Sequence, residues 1–243
     1  MTTDLHGRVA LVTGASGGIG SDLALRLAAA GCDVAVHFSG NEDGARRVAE
    51  EAAQHGVRTA VLQADLADPA AAAGLVEAVG RELGPIDVLV PNAGVNLPVG
   101  AIEDVSLDDW NRTIALNLTA PFLLAQQVVP GMVERGFGRV LLVSSVAAFT
   151  GGMVGPHYAA SKAGLHGMLF WLAKRTAAHG VTVNAVAPAL VASGMVPEDS
   201  DPSAIPVGRI GRPEEVGELA MAMLTNAYVT GKVFLADGGM YPH

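Results

Sequence analysis

Two side chains that can exchange a proton stand one helical turn apart in the second half of the chain. Tyr158 and Lys162 are four residues apart in a stretch with helical apolar spacing, so both project from one face of a helix. An ammonium beside a phenol stabilises the phenolate, which predicts a phenol pKa below its ordinary value of about 10. Such a phenol can protonate a developing alkoxide near neutral pH, and this is the proton chemistry of carbonyl reduction.

Two further polar residues suit the same chemistry. Ser145 ends the apolar run RVLLVSS ahead of Tyr158, and its hydroxyl could hold a substrate carbonyl in place. The alternative is that Ser144 and Ser145 are ordinary turn serines. Asn117 lies in the apolar segment IALNLTAPF, where an unpaired amide is costly. It is either a hydrogen-bonded core amide or a group that orders water leading to Lys162.

A glycine-rich turn follows the first predicted strand and reads Thr13-Gly14-Ala15-Ser16-Gly17-Gly18-Ile19-Gly20. Glycines allow a sharp turn and close approach of a pyrophosphate, and the next helix presents free N–H groups and a positive dipole to phosphates. The turn therefore predicts a nucleotide site, although its spacing is not the common G-x-G-x-x-G. A plain strand-to-helix connector is the alternative. No Walker lysine follows, which disfavours a P-loop NTPase.

The end of the second predicted strand indicates which dinucleotide is bound. The segment 36–41 reads VHFSGN and lacks the carboxylate that would grip the ribose hydroxyls of NAD. Ser39, which follows Phe38, and Asn41 can both donate hydrogen bonds to a 2′-phosphate. The sequence therefore favours NADP(H) over NAD(H), although no arginine lies at this turn.

Two later turns follow strands at the same predicted edge of the sheet. Asp65 comes just after the third strand and could accept a hydrogen bond from the adenine amine, or it could be a turn or helix-cap carboxylate. Asn92-Ala93-Gly94 follows the fourth strand. Loops at the carboxyl edge of a parallel sheet line the ligand crevice, so both turns are candidate cofactor contacts.

The elements that must position these residues alternate regularly along the chain. Short apolar, β-branched runs predict strands at 8–12, 34–38, 59–63, 86–90, 140–143, 181–187 and 233–236. Apolar spacing predicts helices at 18–30, 42–55, 69–83, 107–135, 158–179 and 213–225. Strands that are apolar on both faces and separated by helices indicate an α/β fold with a Rossmann-type, doubly wound parallel sheet of about seven strands.

Composition limits the class of protein. The 243 residues, half of them hydrophobic, suit one core and one domain, 1–243. Fifteen basic against 24 acidic residues give a net charge of −9 without a basic block, so no nucleic-acid binding is expected. The lone Cys32 cannot form an internal disulfide, and no apolar run approaches a membrane span or a signal core, so we expect a soluble, cytoplasmic protein. The histidines show no metal-ligand spacing, and no catalytic metal is predicted.

In this order, the motifs resemble those of the short-chain dehydrogenases/reductases, particularly the subgroup that contains 3-oxoacyl-[acyl-carrier-protein] reductases. The resemblance spans nearly the whole chain, from RVALVTGASGGIG to FLADGGM. It is carried by the glycine turn, Asp65-Leu66, Asn92-Ala93-Gly94, Asn117, Ser145, Tyr158-x-x-x-Lys162, Val183-Asn184…Pro188, Gly208-Arg209, Arg212-Pro213-Glu214-Glu215-Val216 and Asp237-Gly238-Gly239.

The resemblance implies a mechanism. The reduced nicotinamide delivers a hydride to a carbonyl carbon, Tyr158 donates the proton and Ser145 orients the carbonyl oxygen. Lys162 binds the nicotinamide ribose and tunes Tyr158, while Asn117 completes a proton relay through water. The implied cofactor contacts are Gly14, Ser16, Gly17, Gly18, Ile19, Gly20, Phe38, Ser39, Asp65, Leu66, Asn92, Ala93, Gly94, Tyr158, Lys162, Pro188, Ala189, Val191 and Ser193.

The sequence also departs from the family pattern. Pro91 replaces the first Asn of the usual Asn-Asn-Ala-Gly, and Ala189 replaces the glycine that usually follows Pro188. Gly17 stands where NADP-preferring relatives often carry a basic residue. The polar stretch 191–206 is either a surface loop or a flap over the substrate pocket, and it is shorter than the usual lid.

We therefore expect an NADPH-dependent carbonyl reductase, with a 3-oxoacyl thioester as the leading substrate. The alternatives are a reductase or dehydrogenase of another ketone or secondary alcohol (a polyketide, a cyclic ketone or a sugar) and a non-catalytic NADP-binding regulator. The substrate is a small carbonyl compound or a carrier-bound acyl group.

Several side chains outside these motifs have two possible roles. Arg135, Arg139, Lys174 and Arg175 either dock an acidic carrier protein or are solvated helix-end charges. His157 either touches the substrate or faces solvent from a loop. Phe170 and Trp171 belong to the core or to a subunit interface, and the family's helix pairing implies a homotetramer.

Overall fold

Seven parallel strands form one sheet, which confirms the predicted doubly wound α/β fold. The computed structural model describes residues 3–194, 196 and 200–241. The strands are β1 (Val9–Val12), β2 (Asp33–Phe38), β3 (Thr59–Gln63), β4 (Val88–Val90), β5 (Gly138–Val143), β6 (Val181–Pro188) and β7 (Val233–Ala236). Their order is β3-β2-β1-β4-β5-β6-β7, with every neighbouring pair parallel. The order reverses between β1 and β4, where a crevice forms beyond the carboxyl ends of the strands.

Helices cover both faces of the sheet. They are α1 (Gly18–Ala29), α2 (Glu42–Ala53), α3 (Ala71–Glu82), α4 (Leu107–Ile114), α5 (Ala120–Glu134), α6 (Ala147–Thr150), α7 (Pro156–Thr176) and α8 (Pro213–Leu224). One core cluster packs α1, α2 and α8 against one face, and a second packs α3, α5 and α7 against the other. Alternate strand residues enter the two clusters, Val12 the first and Leu11 the second, because successive side chains of a strand point to opposite faces.

The predicted helical region at 107–135 is confirmed from Leu107 to Glu134, but it is not α-helical throughout. A π-helical stretch, Ala115–Thr119, separates α4 from α5 and carries the buried Asn117. Apolar spacing cannot reveal the widened turn because the pattern continues through it. Two short elements were not predicted, the 3₁₀ helix Ile102–Asp104 and α6, and both are too short to show a periodicity.

Within the described residues, no helix is both long enough and apolar enough to cross a membrane. The same part of the chain contains no group of three or more histidine, cysteine or acidic side chains arranged to hold a metal ion.

Candidate active site

The glycine-rich turn is held in place by a buried histidine of β2. The Gly14 N–H donates to Nδ1 of His37 at 3.1 Å, so Nε2 carries the ring proton and donates to the Ala64 carbonyl at 3.1 Å. Burial lowers the pKa of His37 and keeps the ring neutral. His37 therefore joins the turn after β1 to the turn after β3. Sequence reasoning missed this role because neither partner is a neighbour in the chain.

Asn92 ties the same turn to the end of β4. Its Nδ2 donates to the carbonyls of Thr13 at 2.9 Å and Gly14 at 3.0 Å. The hydroxyl of Thr13 in turn accepts from the main-chain N–H groups of Asn92 and Ala93, both at 3.0 Å. The Asn92 side chain is thus committed to shaping the turn.

Two glycines of the turn are required by close contacts. Gly14 has a φ of +62°, and a Cβ there would lie 2.9 Å from Cα of Ala93. A Cβ on Gly20 would lie 2.5 Å from Nδ2 of Asn92 and closer still to the Gly14 carbonyl. The glycines bring the turn, α1 and the loop after β4 together, which leaves the N-terminus of α1 open at the crevice.

A cavity of about 760 Å³ extends from this turn to the N-terminal part of α7. Most of the predicted site residues line it: Gly14, Ser16, Gly17, Gly18, Ile19, Asn92, Ala93, Gly94, Ser145, Tyr158, Lys162, Pro188, Ala189, Val191 and Ser193. Asn41 also lines it, next to the turn. The volume and the glycine cradle fit an extended dinucleotide with a small substrate beside it.

The predicted Ser–Tyr–Lys group converges at one end of this cavity. The Ser145 hydroxyl acts on the Tyr158 phenol and lowers its pKa, and the main-chain N–H of Ala147 donates to Ser145 Oγ at 3.1 Å. Nζ of Lys162 lies 5.8 Å from the centre of the Tyr158 ring and donates to the Val143 carbonyl at 2.8 Å. Strand β5 and helix α7 thus bring the three side chains together.

The pKa of Tyr158 is shifted in the direction opposite to the predicted one. Burial raises the pKa of Tyr158, and the hydrogen bond with Ser145 only partly offsets that rise. Burial also lowers the pKa of Lys162, which is 5% exposed, to about 8. The expected lowering of the phenol pKa by the ammonium is therefore wrong for this structure. Tyr158 is a protonated phenol at neutral pH, which is the form a proton donor needs.

Asn117 is a satisfied core amide that positions the loop after β4. Its Oδ1 accepts from the Val95 N–H at 2.8 Å, and its Nδ2 donates to the Val95 carbonyl at 2.9 Å and to Ser161 Oγ at 3.2 Å. A Cβ on Gly94 would lie 3.1 Å from Asn117 Oδ1 and 3.6 Å from Lys162 Nζ, so Asn117 and Lys162 flank the same glycine. The side chain itself does not line the cavity.

Other predicted cofactor contacts lie off the cavity wall. Gly20 is inside α1, and the side chains of Phe38 and Leu66 are buried in the core, so contact of these residues with a cofactor stays a prediction. Asp65 accepts from the Ala67 N–H at 3.0 Å, the turn role that was its alternative. Ser39 is exposed, and its carbonyl accepts from Nε2 of Gln63 at 2.9 Å.

His157 is neither a solvent-facing loop residue nor a cavity residue, so both expectations are wrong. It is in α7 and 0% exposed, with Nε2 donating to the Leu97 carbonyl at 3.0 Å. The Val99 N–H donates to the Val154 carbonyl at 2.9 Å beside it. These bonds tie the loop after β4 to the segment that leads into Tyr158.

The flap candidate 191–206 is described except for residues 195 and 197–199, which lie outside the described residues. Val191 pairs with Gly211, and the Ala192 N–H donates to the Gly211 carbonyl at 2.8 Å. Val191, Ser193, Val196 and Ala204 line the cavity, so the described part of this stretch contributes to its wall.

Sequence reasoning missed one wall of the cavity. Thr150, Gly152, Met153, Val154 and Met240 line it, beyond the expected residues. They come from the segment between Ser145 and Tyr158 and from the C-terminal end of the described chain. The sequence did contain a signal for the first segment, because it lies between Ser145 and Tyr158, which are both predicted catalytic residues.

A Rossmann-type sheet, a glycine turn at its crevice and a Ser–Tyr–Lys group in the same cavity define a dinucleotide-dependent oxidoreductase of alcohols and ketones. Residues 8–203 match the family model of the short chain dehydrogenases. The chain belongs to the short-chain dehydrogenase family.

Two curated relatives and one solved structure show the range of similar proteins. The chain is 38% identical to a 3-oxoacyl-[acyl-carrier-protein] reductase of Synechocystis sp., covering 98% of each chain. It is 37% identical to an acetoacetyl-CoA reductase of Shinella zoogloeoides, over 96% of this chain and 98% of the relative. The crystal structure of a blue fluorescent protein from a metagenomic library in complex with NADPH superposes with a TM-score of 0.92 at 36% identity, covering 99% of this chain and all of the other.

Proposed function

We propose that this protein is an NADPH-dependent carbonyl reductase and that its substrate is a 3-oxoacyl thioester. The observation that carries the proposal is that Ser145, Tyr158 and Lys162 line the same cavity as the glycine turn. Relatives named as reductases of 3-oxoacyl and acetoacetyl thioesters over the full chain length support the substrate class.

The chain has the groups to hold NADPH. The N-terminus of α1 and the turn at Gly14 to Gly18 would receive the pyrophosphate, while Asn41 and Ser39 would face the 2′-phosphate. Asn41 caps α2, with its Oδ1 accepting from the Gly44 N–H at 3.0 Å and its Nδ2 donating to the Ser16 carbonyl at 3.5 Å, and the residue lines the cavity. Because no carboxylate stands at this turn to repel a phosphate, we propose that NADPH is preferred to NADH.

Bound NADPH supplies the hydride that adds to the carbonyl carbon. Tyr158 gives its phenolic proton to the carbonyl oxygen as negative charge develops there. The Ser145 hydroxyl holds the same oxygen and orients it towards the phenol. The Lys162 ammonium, protonated below pH 8, stabilises the phenolate that remains and binds the nicotinamide ribose. Asn117 keeps the loop at Gly94 in position through its hydrogen bonds to the main chain of Val95.

One alternative keeps the chemistry and changes the substrate to another ketone or secondary alcohol. A steady-state screen with NADPH and NADH, covering acetoacetyl thioesters, 3-oxo esters, diketones and cyclic ketones in reduction and the matching alcohols in oxidation, separates the two. We expect the highest kcat/KM for 3-oxoacyl thioesters with NADPH. A higher kcat/KM for a cyclic ketone or for one of the alcohols would contradict the substrate proposal, and a higher kcat/KM with NADH would contradict the cofactor proposal.

We also propose a homotetramer. Phe122 on α5 and Phe170 and Trp171 on α7 are large apolar side chains that are about half exposed, so the core alternative for the latter two does not hold. Analytical ultracentrifugation of the protein and of Phe170→Glu tests this, because a charge in an apolar subunit contact should dissociate the assembly. An unchanged sedimentation coefficient in the variant would contradict that contact.

A further inference from the structure

The cavity wall beside the catalytic group is neutral. Among the described residues that line the cavity, Lys162 is the only charged one. The other lining residues are glycines, apolar residues such as Met153 and Met240, and residues with uncharged polar side chains such as Asn96, Ser145 and Thr150. A substrate placed against Tyr158 therefore meets no cationic side chain on the wall other than Lys162.

Lys162 cannot act as the counter-ion of a charged substrate. Its ammonium is 5% exposed and already donates to the Val143 carbonyl at 2.8 Å. Burial holds its pKa near 8, so its positive charge is already costly to keep in this position. In the proposed mechanism its remaining hydrogen bonds serve the nicotinamide ribose and the phenolate.

The neighbouring sequence offers no replacement cation. Four segments contribute lining residues to the cavity: 91–106, 143–156, 189–208 and 233–241. Their described residues include no Lys, Arg or His, and the charged ones among them, Glu103, Asp104, Asp201 and Asp237, are all acidic. These described residues therefore supply no cation for an anionic substrate.

The two nearest imidazoles are also unavailable. His157 is fully buried and donates to the Leu97 carbonyl. His166 is hydrogen-bonded to Ser144 Oγ at 2.8 Å, and burial lowers its pKa, so the ring is neutral at neutral pH. Neither ring lines the cavity.

The candidate docking arginines and lysine lie elsewhere. Arg139, at the start of β5, is 3% exposed and donates to the carbonyls of Gly138, Gly180 and Leu224, so both of its predicted roles are wrong. Arg135 donates to the Ile86 carbonyl at the same, amino edge of the sheet. Lys174 is near the C-terminal end of α7, about 24 Å along the helix from Tyr158.

We propose that the substrate site selects uncharged carbonyl compounds. The proposal rests on the proposed function: the site binds only the neutral acyl part of a 3-oxoacyl thioester. The charged groups of coenzyme A or of a carrier protein lie outside the site and contribute little to kcat/KM. A free 3-oxo acid is excluded because its carboxylate would lose its hydration in a neutral cavity without gaining a partner.

Two matched substrate pairs test the proposal on the wild-type protein with NADPH. We expect kcat/KM for methyl acetoacetate to exceed that for acetoacetate at least ~100-fold, because the pair differs in the buried charge. We expect the acetoacetyl thioester of N-acetylcysteamine to be reduced with kcat/KM within about tenfold of acetoacetyl-CoA, because the added phosphates find no cation. Comparable rates for acid and ester, or a much larger advantage of the coenzyme A thioester, would overturn it.

A pair of variants at Met153 tests whether the missing positive charge is the cause of the selection. Met153 lines the cavity and is 74% exposed, so a basic side chain there stays hydrated while reaching the substrate. We expect the ratio of kcat/KM for acetoacetate to kcat/KM for methyl acetoacetate to be at least ~tenfold higher in Met153→Arg than in Met153→Gln, which is similar in length and neutral. An equal effect of the two substitutions on acetoacetate would contradict the charge argument.

The inference and the proposed function can fail separately. If 2,3-butanedione is reduced and no 3-oxo ester or thioester is, the proposed substrate is wrong, and the diketone compared with pyruvate then tests the charge selection. If no carbonyl compound is turned over, calorimetry on the protein with NADP⁺ compares methyl acetoacetate with acetoacetate directly. Tighter binding of the ester supports the selection, whereas equal binding, tighter binding of the acid or binding of neither overturns it.

Discussion

Gly20 is the position at which a single methyl group should test the packing of the glycine turn. In the interior of a helix, alanine is favoured over glycine by about 1 kcal/mol. In Gly20→Ala, however, the new Cβ would lie 2.5 Å from Nδ2 of Asn92 and closer still to the Gly14 carbonyl. Overpacking of this kind costs about 1–3 kcal/mol, and loss of the 3.0 Å bond from Asn92 to the Gly14 carbonyl adds about 1 kcal/mol.

The unfolding free energy should therefore fall by about 1–3 kcal/mol in Gly20→Ala, which corresponds to a fall in Tm of about 3–10 °C. The matched control is Gly74→Ala in α3, where a Cβ would meet nothing within 4 Å, so its Tm should rise by about 2–4 °C. Differential scanning fluorimetry measures both, and fluorescence titration should show weaker NADPH binding in Gly20→Ala alone. A Gly20→Ala protein that melts as high as Gly74→Ala and binds NADPH normally would refute the close-packing argument.

Two further predictions concern buried titratable side chains. The pKa of Lys162 is about 8 in the folded chain against an ordinary 10.5. Between these two pH values the unfolded chain binds more protons than the folded chain, so the stability of the fold rises with pH. Below pH 8 the full cost of burying the ammonium lowers that stability. Lys162→Met should therefore raise Tm at neutral pH, and this gain should shrink towards pH 10.5. The same variant should lose most of its turnover. A variant that is less stable than the wild type across this pH range would contradict the burial cost. His157→Ala should lower the unfolding free energy by about 3 kcal/mol because it leaves a cavity and an unpaired Leu97 carbonyl, and His157→Gln, which keeps a donor, should lose less in urea unfolding. Equal losses in the two variants would mean that the bond to Leu97 contributes nothing.

The local parts of the site could be predicted from the sequence. The glycine turn and the Tyr158–Lys162 pair each lie within one short segment, so spacing alone places their members together. The parallel sheet follows from apolar runs separated by helices, and its topology then brings both groups to one crevice.

The parts that depend on contacts between distant segments could not be predicted. His37 and His157 bond to main-chain atoms of other loops, Gly14 and Ala64 for the first and Leu97 for the second. The Tyr158 pKa was predicted in the wrong direction because helical spacing gives proximity and not burial. The Val143 carbonyl that holds Lys162 comes from a different element.

Tyr158→Phe tests the central claim most directly, because it removes one oxygen and keeps the ring. We expect the variant to unfold like the wild type and to bind NADPH with similar affinity in a fluorescence titration, while kcat for its best carbonyl substrate falls at least ~100-fold. Near-normal kcat in a correctly folded, NADPH-binding variant would contradict the assignment of Tyr158 as the proton donor and, with it, the proposed mechanism.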